Sequence, residues 1–122
     1  MYDQRKPITY AAFSYYPALQ RLRAYVEEHY QSPITLADAA RAAGLERTYL
    51  SAFFHRKVGV RFRDWLALVR VERAQRLLEQ TDIGISQVAA AVGFSDLRAF
   101  ERAFRRVTSV CPGAFKRAVR PS

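Results

Sequence analysis

Apolar residues recur along most of this chain at the spacing that places them on one side of an α-helix. Pro17, a residue well tolerated in the first turn of a helix, begins the pattern. Leu19, Leu22, Val26 and Tyr30 then follow at spacings of three, four and four residues, which form one amphipathic stripe. No stretch alternates apolar and polar residues as a half-buried strand does. The pattern therefore predicts an all-α chain of about seven helices.

Breaks in the helical pattern divide the chain into four parts. Residues 1–16 carry several tyrosines and no helical period, and we expect a tail that packs in part on the domain. Residues 17–61 and 81–119 hold shorter helical segments interrupted by glycine and proline. Residues 62–80 are the longest uninterrupted segment, which predicts a connector helix about 28 Å long.

The two segments beside the connector repeat each other. Residues 34–40 are matched by residues 83–89, and Gly44-Leu45 is matched by Gly93-Phe94, at an offset of 49. Each copy is a short helix of small residues, a turn with glycine, and a longer helix, which is the helix-turn-helix arrangement. The chain is therefore predicted to hold a first helix-turn-helix subdomain before the connector and a second one after it.

Small side chains allow the first helix of each copy to cross the second closely. The predicted crossing residues are Ala39, Ala40 and Ala43 in the first copy, and Ala89, Ala90 and Ala91 in the second. The second helix of each copy has one apolar side, formed by Leu50, Phe53 and Phe54, and by Phe100, Ala103 and Phe104. The opposite side remains free, and such a helix can enter the major groove of DNA.

Composition points to an anionic partner. The chain has 122 residues, a formal net charge of +9 and a pI near 10.3, and half of its residues are apolar, as in an ordinary folded domain. A folded, strongly basic domain most often binds nucleic acid, so double-stranded DNA is the first candidate. Cys111 is the single cysteine, which excludes a disulfide framework and a cysteine-based zinc site. No apolar run is long enough to cross a bilayer and none resembles a signal peptide, so the cytoplasm is the expected compartment.

The free side of the second helix-turn-helix is rich in hydrogen-bond donors. Arg98 and Arg102 lie one turn apart near the helix start, where this motif reads base edges, and arginine suits the O6 and N7 atoms of guanine. Thr48 and Ser51 of the first copy are shorter and less specific. The candidate contacts to the DNA backbone are Arg47, His55, Arg56 and Lys57 in the first copy, and Arg105 and Arg106 in the second.

Several of these motifs are specific to one family. The first half contains Gly44-Leu45, Tyr49-Leu50-Ser51 and Gly59-Val60, and the second half contains Val92-Gly93-Phe94-Ser95-Asp96 and Pro112-Gly113-Ala114-Phe115. Together they resemble the DNA-binding domain of the AraC/XylS family over residues 18–118. The resemblance implies a bacterial regulator of transcription, usually an activator. It also implies two helix-turn-helix subdomains that enter successive major grooves on one face of DNA.

The resemblance also implies which positions face the bases. They correspond to Thr48, Ser51 and Ala52 in the first copy, and to Leu97, Arg98, Glu101 and Arg102 in the second. Ala52 stands where the family often has arginine, which weakens the expected base reading by the first copy. Glu46 replaces the usual serine cap of a helix, where its charge would repel phosphate. Ser109 replaces a usual glycine and Cys111 a usual serine or threonine, and we expect these two changes to have small structural effects.

The resemblance is compatible with two kinds of regulator. We expect no second domain for an effector, so the chain resembles either the short stand-alone members, which bind asymmetric sites as monomers, or a fragment of a longer regulator. Activation would require a contact with RNA polymerase. No cofactor is expected.

Two other classes of function were weighed. A protein-interaction module of the same fold would bind a partner from the transcription machinery without strong site recognition, and Ala52 and Glu46 favour it slightly. An enzyme is disfavoured because His29 and His55 lie in different predicted helices and Cys111 has no histidine near it in sequence. The chain also lacks paired carboxylates, a phosphate-binding loop and metal-ligand spacing.

Overall fold

A computed structural model of the chain describes residues 7–120. That part of the chain is all α-helical, as predicted, and contains eight helices rather than about seven. The helices are α1 (Ala11–Tyr15), α2 (Pro17–His29), α3 (Leu36–Ala43), α4 (Arg47–Val58), α5 (Phe62–Gln80), α6 (Ile85–Ala91), α7 (Leu97–Thr108) and α8 (Pro112–Val119). None of the helices described is both long and apolar enough to cross a membrane.

The chain divides into two compact units within α5. The first unit ends at Leu66 and the second begins at Ala67, although α5 itself is one uninterrupted helix. The first unit contains α1 to α4 and the start of α5. The second contains the rest of α5 and α6 to α8. One copy of the repeated motif therefore lies in each unit.

The core of the first unit forms where the helical periodicity places it. Leu19, Leu22 and Val26 of α2 are fully buried, and so are Leu50 and Phe54 of α4. The predicted stripe is confirmed for these three residues of α2, whereas Tyr30 at its end is only half-buried. These side chains pack α2 against the first helix-turn-helix.

The segment predicted as a tail also contributes to this core. Phe13 of α1 is buried and stacks on Trp65 with ring centroids 4.8 Å apart, and its edge meets the Phe54 ring at 5.9 Å. The Thr9 backbone N–H donates a hydrogen bond of 2.9 Å to the carbonyl of Val58. The absence of a helical period did not exclude a helix here, because five residues are too few to display one.

Caps and glycine turns define the ends of the helices. The Asp38 N–H donates to the Thr35 hydroxyl at 3.0 Å, and the Thr35 N–H donates to the Asp38 carboxylate at 2.9 Å, so α3 begins with a reciprocal capping box. Gly44, Gly59 and Gly93 all have positive φ, as the turns require.

The predicted crossing residues of the second unit are partly wrong. Ala89 is buried, but Ala90 and Ala91 are exposed. Val88 and Val92 are buried beside Ala89 instead. The buried set therefore follows the repeat offset of 49 from the buried alanines of the first copy, Ala39, Ala40 and Ala43. Position within the repeat, rather than small size, determines which residues are buried.

Ser109 has the backbone conformation that glycine adopts in the first copy. It ends α7 with a φ of 70°, the single positive φ of a non-glycine residue in the described range. At the corresponding end of α4, Gly59 has a φ of 99°. A side chain in this left-handed region costs about 1–2 kcal/mol relative to the usual helical one, and glycine avoids that cost.

Replacing Phe13 with alanine should strongly destabilise the first unit. Removing a buried phenylalanine ring leaves a cavity against Trp65 and Phe54, at an expected cost of about 3–5 kcal/mol. Urea unfolding monitored by circular dichroism measures this loss. Ser14→Ala, next in sequence and exposed, is the control. Equal unfolding midpoints for the two variants would contradict the packing role of α1.

Replacing Ser109 with glycine should raise the stability of the protein. The substitution relieves a left-handed side chain, and we expect a gain of about 1 kcal/mol in the free energy of unfolding. Gly59→Ser is the reciprocal variant and should destabilise, because its Cβ would lie 3.3 Å from the Pro7 carbonyl oxygen at a φ of +99°. Thermal unfolding compares the two variants. A lower melting temperature for Ser109→Gly would refute the strain.

Candidate nucleic-acid interface

The strongest concentration of unpaired positive charge described lies on α7. Phe100, Ala103 and Phe104 bury one side of this helix. Arg98, Arg102 and Arg105 follow each other at spacings of four and three residues, which places them together on the opposite side. All three are exposed. Within residues 7–120, none of these guanidinium groups takes part in an ion pair, so their donors face solvent.

The arginines of α7 border a shallow depression in the second unit. Glu101, Arg102 and Arg105 line it together with Cys111, and its volume is about 280 Å³. Guanidinium groups can donate to guanine and phosphate, and a carboxylate can accept from the amino group of cytosine. The predicted residues Glu101, Arg102 and Arg105 are therefore brought to one surface.

The remaining predicted residues of α7 lie near this stripe. Arg106 is exposed beside Arg105. Leu97 is 41% exposed at the first position of the helix, although leucine is usually buried. An exposed aliphatic side chain in this position can contact the methyl group of thymine. The Asp96 carboxylate accepts a 2.8 Å hydrogen bond from the Arg98 N–H and thereby fixes the start of the helix.

The exposed side of α4 is less cationic. The exposed predicted residues of this helix are Arg47, Thr48, Ser51, Ala52, His55 and Arg56. Ala52 lies near the centre of this side and presents a methyl group alone. Lys57 differs from the others, since it is half-buried and its ammonium lies 5.4 Å from the centre of the Tyr16 ring. This unit therefore offers short polar and apolar groups where α7 offers guanidinium groups.

Glu46 caps the start of α4. Its two carboxylate oxygens accept hydrogen bonds from the Thr48 N–H at 3.0 Å and the Tyr49 N–H at 2.9 Å. These backbone bonds, the Thr48 bond first, lower the pKa of the exposed Glu46 carboxyl below its ordinary value. A carboxylate thus occupies the backbone donors that would otherwise be open to a phosphate. The replacement of the expected serine keeps the cap and adds a negative charge.

Sequence reasoning missed two arginines next to Ser51. Arg61 and Arg63 line a groove of about 350 Å³ together with Ser51, and the other lining residues are Ile34, Leu36, Phe62 and Leu66. Both arginines are exposed, whereas Phe62 between them is buried. The alternation of charged and apolar residues at the start of α5 was the available signal. These side chains add positive charge beside the recognition helix of the first unit.

Residues 7–120 contain no group of three or more His, Cys, Asp or Glu side chains that could hold a metal ion. His29 packs against Tyr25 with ring centroids 4.4 Å apart, whereas His55 is exposed on α4. Cys111 is exposed at the start of α8.

Comparisons with known proteins identify the fold and its relatives. A family model described as a helix-turn-helix domain matches residues 39–118. The chain is 34% identical over 98 residues to the HTH-type transcriptional regulator YijO of Escherichia coli, covering 80% of this chain and 35% of YijO. It is 33% identical over 100 residues to the transcriptional activator NphR of a Rhodococcus species, covering 81% of this chain and 30% of NphR.

A solved structure shows the same fold. The DNA-binding domain of the global transcriptional factor AdpA, in complex with a target DNA, superposes with a TM-score of 0.77 and 31% sequence identity. The superposition covers 87% of this chain and 97% of that domain. The chain spans about a third of the length of the curated relatives it matches.

Acid should destabilise the wild type more than a Glu46→Gln variant. A folded-state pKa below the ordinary value of 4.5 means that the cap stabilises fully above that value and is lost as the pH falls through the lowered pKa. Glutamine keeps an accepting oxygen and does not titrate. Urea midpoints measured from neutral pH into the acid range should therefore fall less steeply for Glu46→Gln.

The control for this experiment is Glu27→Gln, which removes an exposed carboxylate from α2. It accounts for the general effect of one fewer negative charge on a basic chain. Parallel curves for the wild type and Glu46→Gln would contradict the capping role of Glu46.

Proposed function

Because this chain belongs to the AraC/XylS family of helix-turn-helix DNA-binding domains, we propose that it regulates transcription by binding particular sequences of double-stranded DNA through α7 and α4. Proteins of this family are DNA-binding regulators of transcription and not enzymes. The observation that carries the proposal is the unpaired stripe of Arg98, Arg102 and Arg105 opposite the buried side of α7. A rigid helix with that stripe fits the major groove.

Base reading is assigned mainly to the start of α7. Arg98 and Arg102 are suited to the two acceptors of guanine, and each good bidentate pair gives about 1–3 kcal/mol of discrimination. Glu101 lies in the same depression as Arg102 and can accept from the amino group of cytosine. Leu97 adds an apolar contact. These four residues would select the sequence.

The backbone contacts would supply affinity without sequence choice. We assign Arg105 and Arg106 of α7 and Arg47, His55, Arg56 and Lys57 of α4 to phosphates. Each lysine or arginine that neutralises a phosphate releases counterions, so binding should weaken steeply as salt rises. These contacts would also set the position of the helices on the duplex.

The first unit would read bases less strongly than the second. Thr48, Ser51 and Ala52 are exposed on α4 but offer a hydroxyl, a hydroxyl and a methyl group. Because each copy carries one recognition helix, the two helices would enter successive major grooves, about 34–36 Å apart along the duplex. The groove entered by α7 would therefore contribute most of the sequence specificity.

The regulatory output is proposed to be activation. The similar protein NphR is a transcriptional activator, and activation by this chain would require a contact with RNA polymerase. We propose that the chain binds DNA as a monomer if it works alone, and that it acts in the cytoplasm of a bacterial cell. No cofactor enters this mechanism.

Selection of bound sequences from a random DNA pool at a stated salt concentration tests the proposal directly. A recovered motif that spans two groove segments, one of them strongly specified, is the expected result. Recovery of no preferred sequence would refute site-specific binding and would favour a module that binds a protein of the transcription machinery.

Substitution of the arginines of α7 should separate base reading from backbone contact. Arg98→Ala and Arg102→Ala should each reduce the preference for the selected site by about 1–3 kcal/mol. Arg106→Ala should weaken selected and random DNA alike and reduce the salt slope by about 0.9. Fluorescence anisotropy at several salt concentrations measures both quantities.

The matched control is Arg117→Ala, which removes an exposed arginine of α8 outside the recognition helix. It should leave the preference for the selected site unchanged. Equal losses on selected and random DNA for Arg102→Ala would show that Arg102 does not read a base.

A further inference from the structure

Four aromatic side chains form a continuous row on the surface of the first unit, outside the set of predicted DNA contacts. Tyr15 packs edge to face on Tyr16 with centroids 4.8 Å apart, and Tyr16 packs in the same way on Phe53 at 5.1 Å. Phe53 stacks with Tyr49 at 5.6 Å. We name this row, Tyr15, Tyr16, Phe53 and Tyr49, the aromatic ledge.

The core holds the aromatic ledge in place. Tyr15 and Tyr16 lie two and three residues after Phe13, whose ring is stacked on Trp65 at 4.8 Å. The side-chain amide of Gln20 donates a 2.8 Å hydrogen bond to the Ser14 carbonyl and ties α2 to α1. An isolated helix of five residues would not be stable in water, so this packing keeps the two tyrosines in position.

The two ends of the aromatic ledge are unusually open to solvent. Tyr15 is 76% exposed and Tyr49 is 51% exposed. Tyrosine combines an apolar ring with a hydroxyl donor, a combination that is enriched at binding surfaces. The Lys57 ammonium lies 5.4 Å from the centre of the Tyr16 ring and gives the ledge a positive charge. This chemistry fits an anionic partner with apolar edges.

The aromatic ledge is continuous with the exposed side of the first recognition helix. Tyr49, Phe53 and Lys57 follow one another at intervals of four residues and form one stripe of α4. Thr48 and Ala52 form the neighbouring stripe, which is assigned to the major groove. A helix that lies in a major groove has a phosphate backbone along its flank. The partner that meets the aromatic ledge is therefore the DNA strand that borders this groove.

The charge distribution places the phosphate contact at one end of the aromatic ledge. Glu46 accepts from the Tyr49 N–H, so a carboxylate lies at the Tyr49 end and repels phosphate there. Lys57 attracts phosphate toward the Tyr16 and Tyr15 end. The Tyr49 ring is left to pack against deoxyribose.

We propose that the aromatic ledge and Lys57 hold the DNA backbone that borders the groove entered by α4. The Tyr15 hydroxyl donates to a phosphate oxygen, Lys57 neutralises a phosphate, and the Tyr49 ring covers a sugar. These contacts position the first unit and read no bases. The assignment rests on the proposed DNA-binding function and adds to it a surface from the segment that precedes α2.

Two conservative variants test the two kinds of contact. Tyr15→Phe removes a hydroxyl from an exposed ring and should weaken selected and random DNA alike by about threefold to tenfold, with an unchanged salt slope. Lys57→Gln should also weaken both DNAs, but it should reduce the salt slope by about 0.9, because one fewer phosphate is neutralised. Fluorescence anisotropy titrations of selected and random DNA over a range of salt concentrations give the affinity and the salt slope of each variant.

Tyr25→Phe is the matched control, since the Tyr25 ring contacts His29 and not the aromatic ledge. It should bind like the wild type. Circular dichroism of each variant establishes that the fold is intact, which the exposure of Tyr15 favours. An affinity of Tyr15→Phe equal to the wild-type value would overturn the proposal, whatever the result for Lys57→Gln, because Lys57 is already assigned to a phosphate by the proposed function.

Failure of this proposal is distinct from failure of the proposed function. A wild type that prefers its selected site, together with a Tyr15→Phe variant that binds equally well, refutes the ledge alone. A wild type without preference refutes site-specific recognition. Even if the wild type has no sequence preference, a lower affinity of Tyr15→Phe for random DNA would still support the contact between Tyr15 and the DNA backbone.

Discussion

Burial of the phenylalanines beneath α7 is the interaction on which the cationic surface of the second unit depends. Phe100 and Phe104 are fully buried, with their ring centroids 5.6 Å apart, and Phe115 of α8 packs on Phe104 at 5.4 Å. This packing fixes the rotation of α7 about its own axis. Because the rings occupy the buried side, the arginines on the opposite side of α7 face solvent. No polar or charged residue is buried in residues 7–120.

Burial of one side of the helix also fixes the rotation of α4 in the first unit, but the exposed surface of α4 differs from that of α7. Leu50, Phe54 and Val58 are fully buried under α4. Its outward side carries Ala52 where α7 carries Arg102, although a carboxylate caps the start of both helices, Glu46 for α4 and Asp96 for α7. Two copies of one fold therefore hold α4 and α7 by the same kind of packing and expose different side chains to solvent.

Much of the fold and part of the candidate site could be predicted from the sequence. The longer helices were predictable because each has at least two turns of apolar periodicity, and the glycine turns because positive φ favours glycine. α1 was missed because it is too short to show a period. Burial of Ala90 and Ala91 was predicted from size alone and is wrong, because the repeat offset, which places Val88 and Val92 inside, is the stronger signal.

The site was predictable where it depends on helix geometry and not where it depends on contacts between distant residues. The exposure of Arg98 and Arg102 follows from the periodicity of α7. The position of Lys57 over Tyr16 does not, because it joins α4 to a segment more than forty positions earlier in the chain. The repulsion of phosphate by Glu46 was expected from its charge, whereas the two backbone donors that its carboxylate satisfies were found in the structure.

The anchoring of Phe13 has a practical consequence for the limits of this domain. The motif pattern alone would suggest excising a fragment that starts at Pro17. Such a truncation would remove the Phe13 ring that packs on Trp65 and would leave an apolar cavity in the first unit. A minimal fragment therefore has to retain Phe13, and the buried side chain of Ile8 extends that requirement to the residues just before α1.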